Sequence, residues 1–263
     1  MTAFDKFIYE HGMMPWKLFL GWLATIVNDF EKSVEYGAHR KINAYYYNVP
    51  AAFDIETSSF RIPLEDGTKA KAGTMYIWQF GIYGKVCFGR SWSDFLQFTD
   101  MVKKIMNLSN EVRLAVYVHN LQFEFQWIRK LFKWDKVFLL DKRVPVTALT
   151  EGIEFRCSLK LSGGVSLATV GKNLVNYDIR KLEGDLDYSL VRGPETPLTD
   201  QELAYCENDI RVVMAYIMEK IQTDGDITKI PLTNTGYVRR YCRKACFPEI
   251  QEISTINGFS NVG

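Results

Sequence analysis

The sequence AAFDIETS, residues 51–58, places two carboxylates two residues apart in a short apolar run that then ends in small polar residues. Side chains of an extended strand alternate between its faces, so we expect Asp54 and Glu56 on one face and Ile55 on the other. Two adjacent carboxylates repel each other, and a hard divalent cation between them is the simplest remedy. An acidic strand end that turns to solvent is the alternative. The rest of the chain has to decide between them.

Length and composition predict a globular chain with a well-filled core. The chain has 263 residues, of which 47% are hydrophobic and 14% aromatic, enough for one large domain or two small ones. Thirty-two basic and 31 acidic residues leave a net charge of +1, which neither indicates nor excludes a nucleic-acid partner. Any sequence signal for a nucleic-acid partner therefore has to be a local cluster of charge.

Cysteine usage and apolar runs indicate a cytoplasmic protein. The five cysteines are dispersed and form no Cys-x-x-Cys pair, which is typical of reduced thiols. The longest apolar run near the N-terminus, residues 18–27, is too short to span a bilayer and lacks a basic leader and a cleavage site. We therefore expect a soluble, unprocessed protein with no membrane partner.

Residues 1–48 are predicted to form a helical N-terminal extension. Apolar residues recur at helical spacing behind Pro15, beginning with Trp16, Phe19, Leu20 and Leu23. The segment carries five basic and five acidic residues, so docking on the rest of the protein is favoured over binding to a membrane surface.

Periodicity and capping signals after Pro50 predict an α/β chain. Strands are expected at 74–83, 85–88, 114–118, 137–140 and 154–158, helices at 91–107, 165–174 and from Thr199 onward, and loops at 61–73 and 180–197. The first strand is expected to lie beside 114–118. This order predicts a three-layer fold in which helices flank a mixed central sheet.

Two predicted helices carry polar groups that suit a site. Asn120, Phe123 and Glu124 follow the strand 114–118 at helical spacing, so they share one face. Tyr205 and Asp209 lie one turn apart on the helix that begins at Thr199. Taken singly, a structural role is favoured for each: Asn120 as a helix cap, Phe123 as part of the core and Tyr205 as a half-buried phenol.

A basic, tyrosine-containing strip follows at residues 229–244. It has five basic residues and no acidic ones, including Arg239, Arg240 and Arg243. Such a strip suits contact with phosphates and bases, but a solvated helix face has the same composition.

In order, the chain therefore presents Asp-x-Glu at 54–56, Asn-x-x-Phe-Glu at 120–124 and Tyr-x-x-x-Asp at 205–209. This resembles the three exonuclease motifs in the proofreading domain of family B DNA polymerases, which are DEDD nucleases. The protein-primed polymerases of phages and other mobile elements are most similar, because LEGDLDY at 182–188, YCENDI at 205–210 and PLTNTGYVRRYCRK at 231–244 also resemble that group.

The resemblance implies an RNase H-like 3′–5′ exonuclease domain at residues 49–228, followed by a basic C-terminal segment at 229–263 that leads towards a polymerase region. No motif of that region is present. The implied reaction removes nucleotides from the 3′ end of single-stranded DNA with two Mg²⁺ or Mn²⁺ ions. In that family the residue matching Asp54 bridges both ions, those matching Glu56 and Asp209 bind the ion that activates water, and Tyr205 orients the water.

The chain departs from the family at two positions. Glu124 stands where the second motif usually has Asp, so the ligand of the second ion is an open question. Glu183 stands where a catalytic Lys is expected, and Lys181 or Lys172 is the available substitute. By resemblance, the residues that hold the single strand are Thr57, Asn120, Phe123, Ser158, Leu159 and Tyr188, and we add Arg239, Arg240 and Arg243 from the basic strip.

Two other functions compete with this hypothesis. One is an RNA 3′ exonuclease of the same superfamily, which would read the 2′-hydroxyl. The other is a non-catalytic module in which Glu124 marks a decayed site and the basic strip binds DNA or a priming terminal protein. Under the leading hypothesis the partners are a single-stranded DNA 3′ end, a polymerase domain or subunit, and a terminal protein.

Overall fold

The computed structural model describes residues 2–65, 67–141, 143–182 and 190–246. In these residues the strands are β1 Met14–Pro15, β2 Lys32–Tyr36, β3 Ile42–Tyr47, β4 Ala51–Pro63, β5 Lys69–Ile82, β6 Lys85–Gly89, β7 Val112–Val118, β8 Lys136–Leu140, β9 Val144–Thr150 and β10 Ile153–Cys157. The α-helices are α1 Ala3–Tyr9, α2 Trp16–Ile26, α3 Trp92–Ile105, α4 Leu121–Ile128, α5 Ser158–Leu161, α6 Leu167–Lys172, α7 Asp200–Asp224 and α8 Asn234–Cys246.

The strands form one mixed sheet in the order β1-β6-β5-β4-β7-β10-β9-β8, and β3 joins it beside β7 and carries β2. β4 lies antiparallel to β5 and parallel to β7, as expected for the first strand. The pairing of β4 with β7 ends after Ala52 and Tyr117. Beyond this pair the two strands diverge, and a cleft opens between the end of β7 and the middle of β4.

The alternation of side chains along β4 produces two separate cores. Phe53 and Ile55 pack on one face of the sheet with apolar residues of α2, α3 and α4. Ala52 packs on the opposite face with residues of α1, α6 and α7. Helices therefore cover both faces, which confirms the predicted three-layer α/β arrangement.

The N-terminal extension contains the predicted helix, and Trp16, Phe19, Leu20 and Leu23 are all buried in α2. It also contains three strands that the sequence did not predict. β1 lies parallel to β6, and β3 lies parallel to the start of β7. The tyrosine run at 45–47 belongs to β3, where Tyr46 and Tyr47 are buried in the two different cores and Tyr45 is exposed. The domain boundaries at residues 48 and 228 stay predictions.

Most elements after Pro50 agree with the sequence. The β5–β6 hairpin, β7, β8, β10, α3, α6 and α7 are where the patterns place them. Ser91 caps α3 by accepting from the Asp94 amide, and Thr199 with Glu202 forms the predicted capping box of α7. The basic strip lies largely on α8. In the described residues no helix is long and apolar enough to cross a membrane.

Two predictions were wrong. Residues 61–73, predicted as a loop, mostly extend the β4–β5 hairpin, because Arg61 pairs with Lys71 and Pro63 with Lys69. Strand β9 was missed. It pairs with both β8 and β10, and almost all of its residues are buried.

Candidate active site

β4 places the two carboxylates of the first motif. Asp54 and Glu56 point to the face covered by α7, and both are half-buried. Directly beyond Glu56 the register with β5 shifts, because Glu56 pairs with Ile77 while Thr57 pairs with Met75. The shift leaves Tyr76 as the extra residue of a β-bulge, a feature that bends a strand and re-aims its side chains.

The second motif follows β7 without a connecting loop. Asn120 has φ 84° and ψ 53°, the left-handed conformation that Asn adopts more readily than most residues. This tight turn starts α4 at Leu121 and puts Glu124 in the first turn of the helix, where it is buried. The Asn120 side chain makes no capping hydrogen bond, so its amide is not used by the helix.

α7 supplies the third motif. Its 25 residues cross the sheet with Ile210, Val213 and Ile217 buried in the core. Tyr205 and Asp209 lie one turn apart near the N-terminal end of the helix. Asp209 is buried, and Tyr205 is half-buried.

These groups meet in one cavity of about 420 Å³. It is lined by Phe53, Asp54, Ile55, Glu56, His119, Asn120, Phe123, Glu124, Leu167, Lys181, Tyr205, Asp209, Ile210 and Val213. All four predicted metal-ligating carboxylates and Tyr205 are in this set. Residues from three distant parts of the sequence are therefore brought together where the motifs require it.

The pKa of each of the four carboxyls is raised. Burial raises the pKa of Asp54 to about 7, and the negative charge of Asp209 adds to the effect. Burial and the charge of Asp54 raise the pKa of both Glu56 and Glu124. Glu124, as the protonated partner, donates a hydrogen bond to Asp54. The cavity thus concentrates more negative charge than its surroundings neutralise.

Among the described residues, Lys181 is the one cation that lines the cavity. Its Nζ lies 2.9 Å from Oδ2 of Asp209 and 5.2 Å from the centre of the Tyr205 ring. Burial opposes the charge of Lys181, but Asp209 and Tyr205 outweigh it and raise the pKa of the ammonium. The same ion pair only partly offsets the effect of burial, which raises the pKa of Asp209. Of the two lysines considered, Lys181 lies in the cavity, and Lys172 is not among the lining residues.

The other predicted strand-binding residues lie at different distances from the cavity. Phe123 lines it with 39% of its surface exposed. Thr57 is half-buried beside the bulge, and Leu159 packs against the core next to α4, so neither lines the cavity. Ser158 is buried behind His119, with its Oγ 3.2 Å from the Nδ1 of that ring. Tyr188 and Glu183 lie outside the described residues.

The three arginines of α8 do not line the cavity. Arg239 and Arg243 are exposed. Arg240 is already used inside the protein, because it forms an ion pair with Asp224 and donates to the carbonyl oxygen of Lys229. A nucleic-acid role for these residues stays a prediction.

His119 is a lining residue to which the sequence assigned no role. Its Nε2 is buried and has no hydrogen-bond partner, and burial lowers the pKa of the ring to about 4. Its position directly after the apolar run of β7 was the only available signal, since the end of a central strand is a common place for functional groups. Lys181 could not be chosen over Lys172 because the irregular segment around it has no periodicity.

The described residues contain no three His, Cys, Asp or Glu side chains that converge closely enough to hold a metal ion as they stand. The carboxylates instead pair with Lys181 and with each other. Two oxygens are left over: Oε2 of Glu124 and Oδ1 of Asp209 are buried without a hydrogen-bond partner. Buried carboxylate oxygens without a donor are unusual, and a hard cation is the ligand that oxygen donors of this kind fit.

No family model matches the chain, and no curated protein matches it. Solved structures do. The orthorhombic crystal form of Phi29 DNA polymerase superposes with a TM-score of 0.53 and 17% identity over 74% of this chain and 34% of that chain. The chain has an RNase H-like fold. Its resemblance to a protein-primed family B polymerase is thereby confirmed at the level of the fold.

Two further structures are similar over 68% and 88% of the chain. Phi29 DNA polymerase complexed with single-stranded DNA has a TM-score of 0.48 and 18% identity, with coverage of 68% of this chain and 32% of that chain. The catalytic core of RRP6 from Trypanosoma brucei has a TM-score of 0.43 and 8% identity, with coverage of 88% and 56%. The chain spans about a third of the length of the Phi29 polymerase that it matches.

Proposed function

We propose that the chain is a divalent-metal-dependent 3′–5′ exonuclease that removes nucleotides from the 3′ end of single-stranded DNA. The observation that carries this proposal is the meeting of Asp54, Glu56, Glu124 and Asp209 in one cavity with Tyr205. Four acidic groups in a cavity of nucleotide size destabilise the fold, so a structural role does not explain them.

The residues fit two Mg²⁺ or Mn²⁺ ions. Asp54, Glu56, Glu124 and Asp209 would hold them, and the unpartnered oxygens of Glu124 and Asp209 support this assignment. When bound, such ions neutralise the charge on the attacking and leaving oxygens of a phosphodiester. The burial of Glu124 beside Asp54 supports a retained ligand in place of the usual Asp, against the alternative of a decayed site.

The side chains around the carboxylates suit the rest of the reaction. The Tyr205 hydroxyl can both donate and accept a hydrogen bond, so its role is to orient the attacking water. Lys181 supplies positive charge beside Asp209, where a phosphate would approach. Asn120 and Phe123 line the cavity, which supports a role in holding the terminal nucleotides, the first through its side-chain amide and the second by stacking on a base.

The proposed setting is proofreading in DNA replication in the cytoplasm, of a bacterial host if the chain is phage-encoded. The partners are a polymerase domain or subunit and a priming terminal protein. The resemblance of the motifs to protein-primed polymerases supports this setting.

Alanine substitution of Asp54 or Asp209 tests the proposal. We expect either variant to lose at least about 100-fold in Mg²⁺-dependent release of mononucleotides from a 3′-labelled single-stranded DNA, since each removes a metal-ligating group. Glu111→Ala is the matched control, because Glu111 is an exposed carboxylate on the opposite end of β7. Thermal unfolding of all variants shows whether they fold.

Full turnover in folded Asp54→Ala and Asp209→Ala would contradict the proposed site. Matched DNA and RNA oligonucleotides, digested side by side, identify the substrate. If ribonucleotides are removed faster, the substrate of the same site is RNA and not DNA.

A further inference from the structure

Beyond the cavity, β4 and β5 continue as a two-stranded hairpin that leaves the sheet. We call residues 59–73 the arm; its described residues are 59–65 and 67–73. In the arm, Ser59 pairs with Gly73, Arg61 with Lys71 and Pro63 with Lys69. No third strand pairs with the arm among the described residues. A two-stranded extension of this kind gains little stability by itself, so its sequence is free to serve binding.

One face of the arm is strongly basic. Residues directly opposite in an antiparallel pair project to the same face, so Arg61, Lys69 and Lys71 share a face. All three are exposed, and none of them forms an ion pair with another residue that the structure describes. Arg61 directly opposite Lys71 is a like-charge pair, which destabilises a hairpin unless an anion lies over it. The arm has two acidic residues in its sequence, Glu65 and Asp66, against Arg61, Lys69 and Lys71.

The base of the arm is fixed to the protein. Ser58, just before the arm, accepts a hydrogen bond from the Arg192 amide and donates one to the carbonyl oxygen of Leu190. Ser58 alternates with Thr57, so this contact lies on the side opposite the basic face. Further out, Ile62 on that side is 44% exposed, and Arg61, Lys69 and Lys71 are exposed on the basic face, so both faces of the arm are open to solvent.

The basic face lies on the side of β4 opposite Asp54 and Glu56, where two aromatic rings of α4 connect it to the candidate active site. Phe123 lines the cavity and lies edge-to-face with Trp127, with the ring centres 6.5 Å apart. Trp127 in turn covers Gly73, where a Cβ atom would lie only 3.0 Å from Cη2 of the indole. Gly73 lies on the same face as Lys71, one residue pair closer to the sheet. A row of two aromatic rings thus leads from the cavity to the three cations.

We propose that the basic face of the arm binds phosphates of the single strand upstream of the 3′ end that enters the cavity. The inference rests on the proposed function, since it assigns the path of the same substrate. Arg61 is five residues beyond Glu56, about 17 Å along an extended strand. At 3.4 Å or more per phosphate, that distance corresponds to about five nucleotides or fewer. Phe123 and Trp127 offer stacking surfaces for the bases between these points.

The test compares the full chain with its triple variant Arg61→Gln, Lys69→Gln, Lys71→Gln. Binding of a fluorescent 12-nucleotide DNA is measured by anisotropy in EDTA over a range of salt concentrations. Each neutralised phosphate contributes about 0.7 to the slope of log affinity against log salt, so we expect the triple variant to lose about 2 from that slope. It should also lose about tenfold or more in affinity at low salt.

The matched control is Lys17→Gln, Lys41→Gln, Lys104→Gln. These exposed lysines lie on α2, in the β2–β3 turn and at the end of α3, and removing them changes the net charge by the same amount. We expect the control to keep the wild-type slope. A dinucleotide cannot span the distance to the arm, so its Mg²⁺-dependent hydrolysis should be equal in wild type and triple variant.

Equal slopes for the 12-mer in wild type, control and triple variant would overturn the arm as a binding surface, even if Asp54→Ala abolishes hydrolysis. A slope lost equally in control and triple variant would also overturn it, since only net charge would then matter. A reduced salt dependence of binding in the triple variant alone supports the inference, whether or not the proposed hydrolysis is observed. The binding and hydrolysis measurements therefore fail independently.

Discussion

At the residue scale, burial sets the protonation of the groups that line the cavity. His119 is the clearest case outside the carboxylates. One ring nitrogen lies 3.2 Å from Oγ of Ser158 and the other is buried without a partner. Burial opposes a charged ring more strongly than a hydrogen bond to the Val165 backbone favours it, and the charge of Lys181 adds to the effect of burial. Burial therefore lowers the pKa of His119 from 6.5 to about 4. The native state keeps the ring neutral at neutral pH.

This arrangement predicts an acid-sensitive contribution to stability. The unfolded chain takes up a proton on His119 near pH 6.5 while the folded chain does not, so the contribution is complete above pH 6.5 and is lost as the pH falls towards 4. At about 1.4 kcal/mol per pKa unit, the upper limit is about 3 kcal/mol. Urea unfolding at pH 7.5 and pH 5 should show a smaller acid loss in His119→Gln than in wild type. His11→Gln, an exposed histidine, is the control.

An identical acid loss in wild type and His119→Gln would show that the ring is protonated in the native state. The comparison between variants is necessary because the carboxyls with raised pKa gain stability as the pH falls, which is the opposite sign. His11→Gln should follow wild type.

Some site residues could be chosen from the sequence and others could not. Asp54 and Glu56 were found because the alternation of a strand puts them on one face, and Asp209 because it falls one turn from Tyr205 on a well-marked helix. Each of these is fixed by a regular element. Lys181 lies in an irregular segment, where no period relates a position in sequence to a direction in space. Its contact with Asp209 depends on how that segment crosses α7.

At the element scale, α7 positions functional and structural residues on two different sides of the helix. One side supplies Tyr205 and Asp209, and the other anchors the N-terminal extension through a buried ion pair between Glu207 and Arg211. Arg211 also donates to the carbonyl oxygens of Ile8 and Glu10, and the Glu207 carboxylate accepts from the Gly12 amide at 2.9 Å. The pair thus provides hydrogen-bond partners for backbone groups where α1 ends and the chain leads to β1.

Arg211→Ala is expected to destabilise the chain by about 3–5 kcal/mol, because it leaves the Glu207 carboxylate buried and unpaired. The double variant Glu207→Ala, Arg211→Ala should lose less than the sum of the two single losses. Urea unfolding measures all three. Arg180→Ala is the control, since its ion pair with Asp178 is exposed and should contribute less than about 1 kcal/mol.

Additive losses in the double variant would contradict the coupling of Glu207 and Arg211. Limited proteolysis provides a second readout. Cleavage between residues 9 and 14 should accelerate in Arg211→Ala and not in Arg180→Ala, because only the former frees the carbonyl groups of Ile8 and Glu10.

Elements with explicit end signals were predicted well, and elements without them were not. Ser91 and Thr199 marked the starts of α3 and α7 because a capping side chain satisfies an amide that is otherwise free. The arm was predicted as a loop because it lacks the row of apolar residues on one face by which a strand is recognised in a sequence. The alternation Lys69-Ala70-Lys71-Ala72 was present, but charged and small residues replace the apolar half of the pattern. A strand whose residues are largely exposed gives no hydrophobic period.

At the scale of the whole molecule, the fold holds the carboxyls of the site together at a cost in stability. β4, α4 and α7 are fixed by two well-filled cores, and the cavity between them forces four carboxyls together. Each of the four has a raised pKa, which means that ionising it opposes folding. Function that requires clustered charge commonly reduces stability in this way.

Removing one of these charges should therefore stabilise the protein in the absence of divalent ions. Asp54→Asn keeps the shape of the side chain and removes the charge, so in EDTA at pH 8 we expect it to be at least about 1 kcal/mol more stable than wild type. The pKa of Asp54 is raised from 3.8 to about 7, so wild type should lose stability as the pH rises through that window, and the variant should lose less. Urea unfolding in EDTA at pH 5 and pH 8 measures both effects.

Adding Mg²⁺ or Mn²⁺ should reverse the order. A cation that binds the folded chain alone stabilises it in proportion to the logarithm of its concentration over Kd, so the Tm of wild type should rise with metal and that of Asp54→Asn should rise much less. Glu111→Gln, an exposed carboxyl, should follow wild type throughout. If Asp54→Asn were less stable than wild type in EDTA, then Asp54 would be making a structural contact, and the repulsion among the four carboxyls would not be what a metal ion relieves.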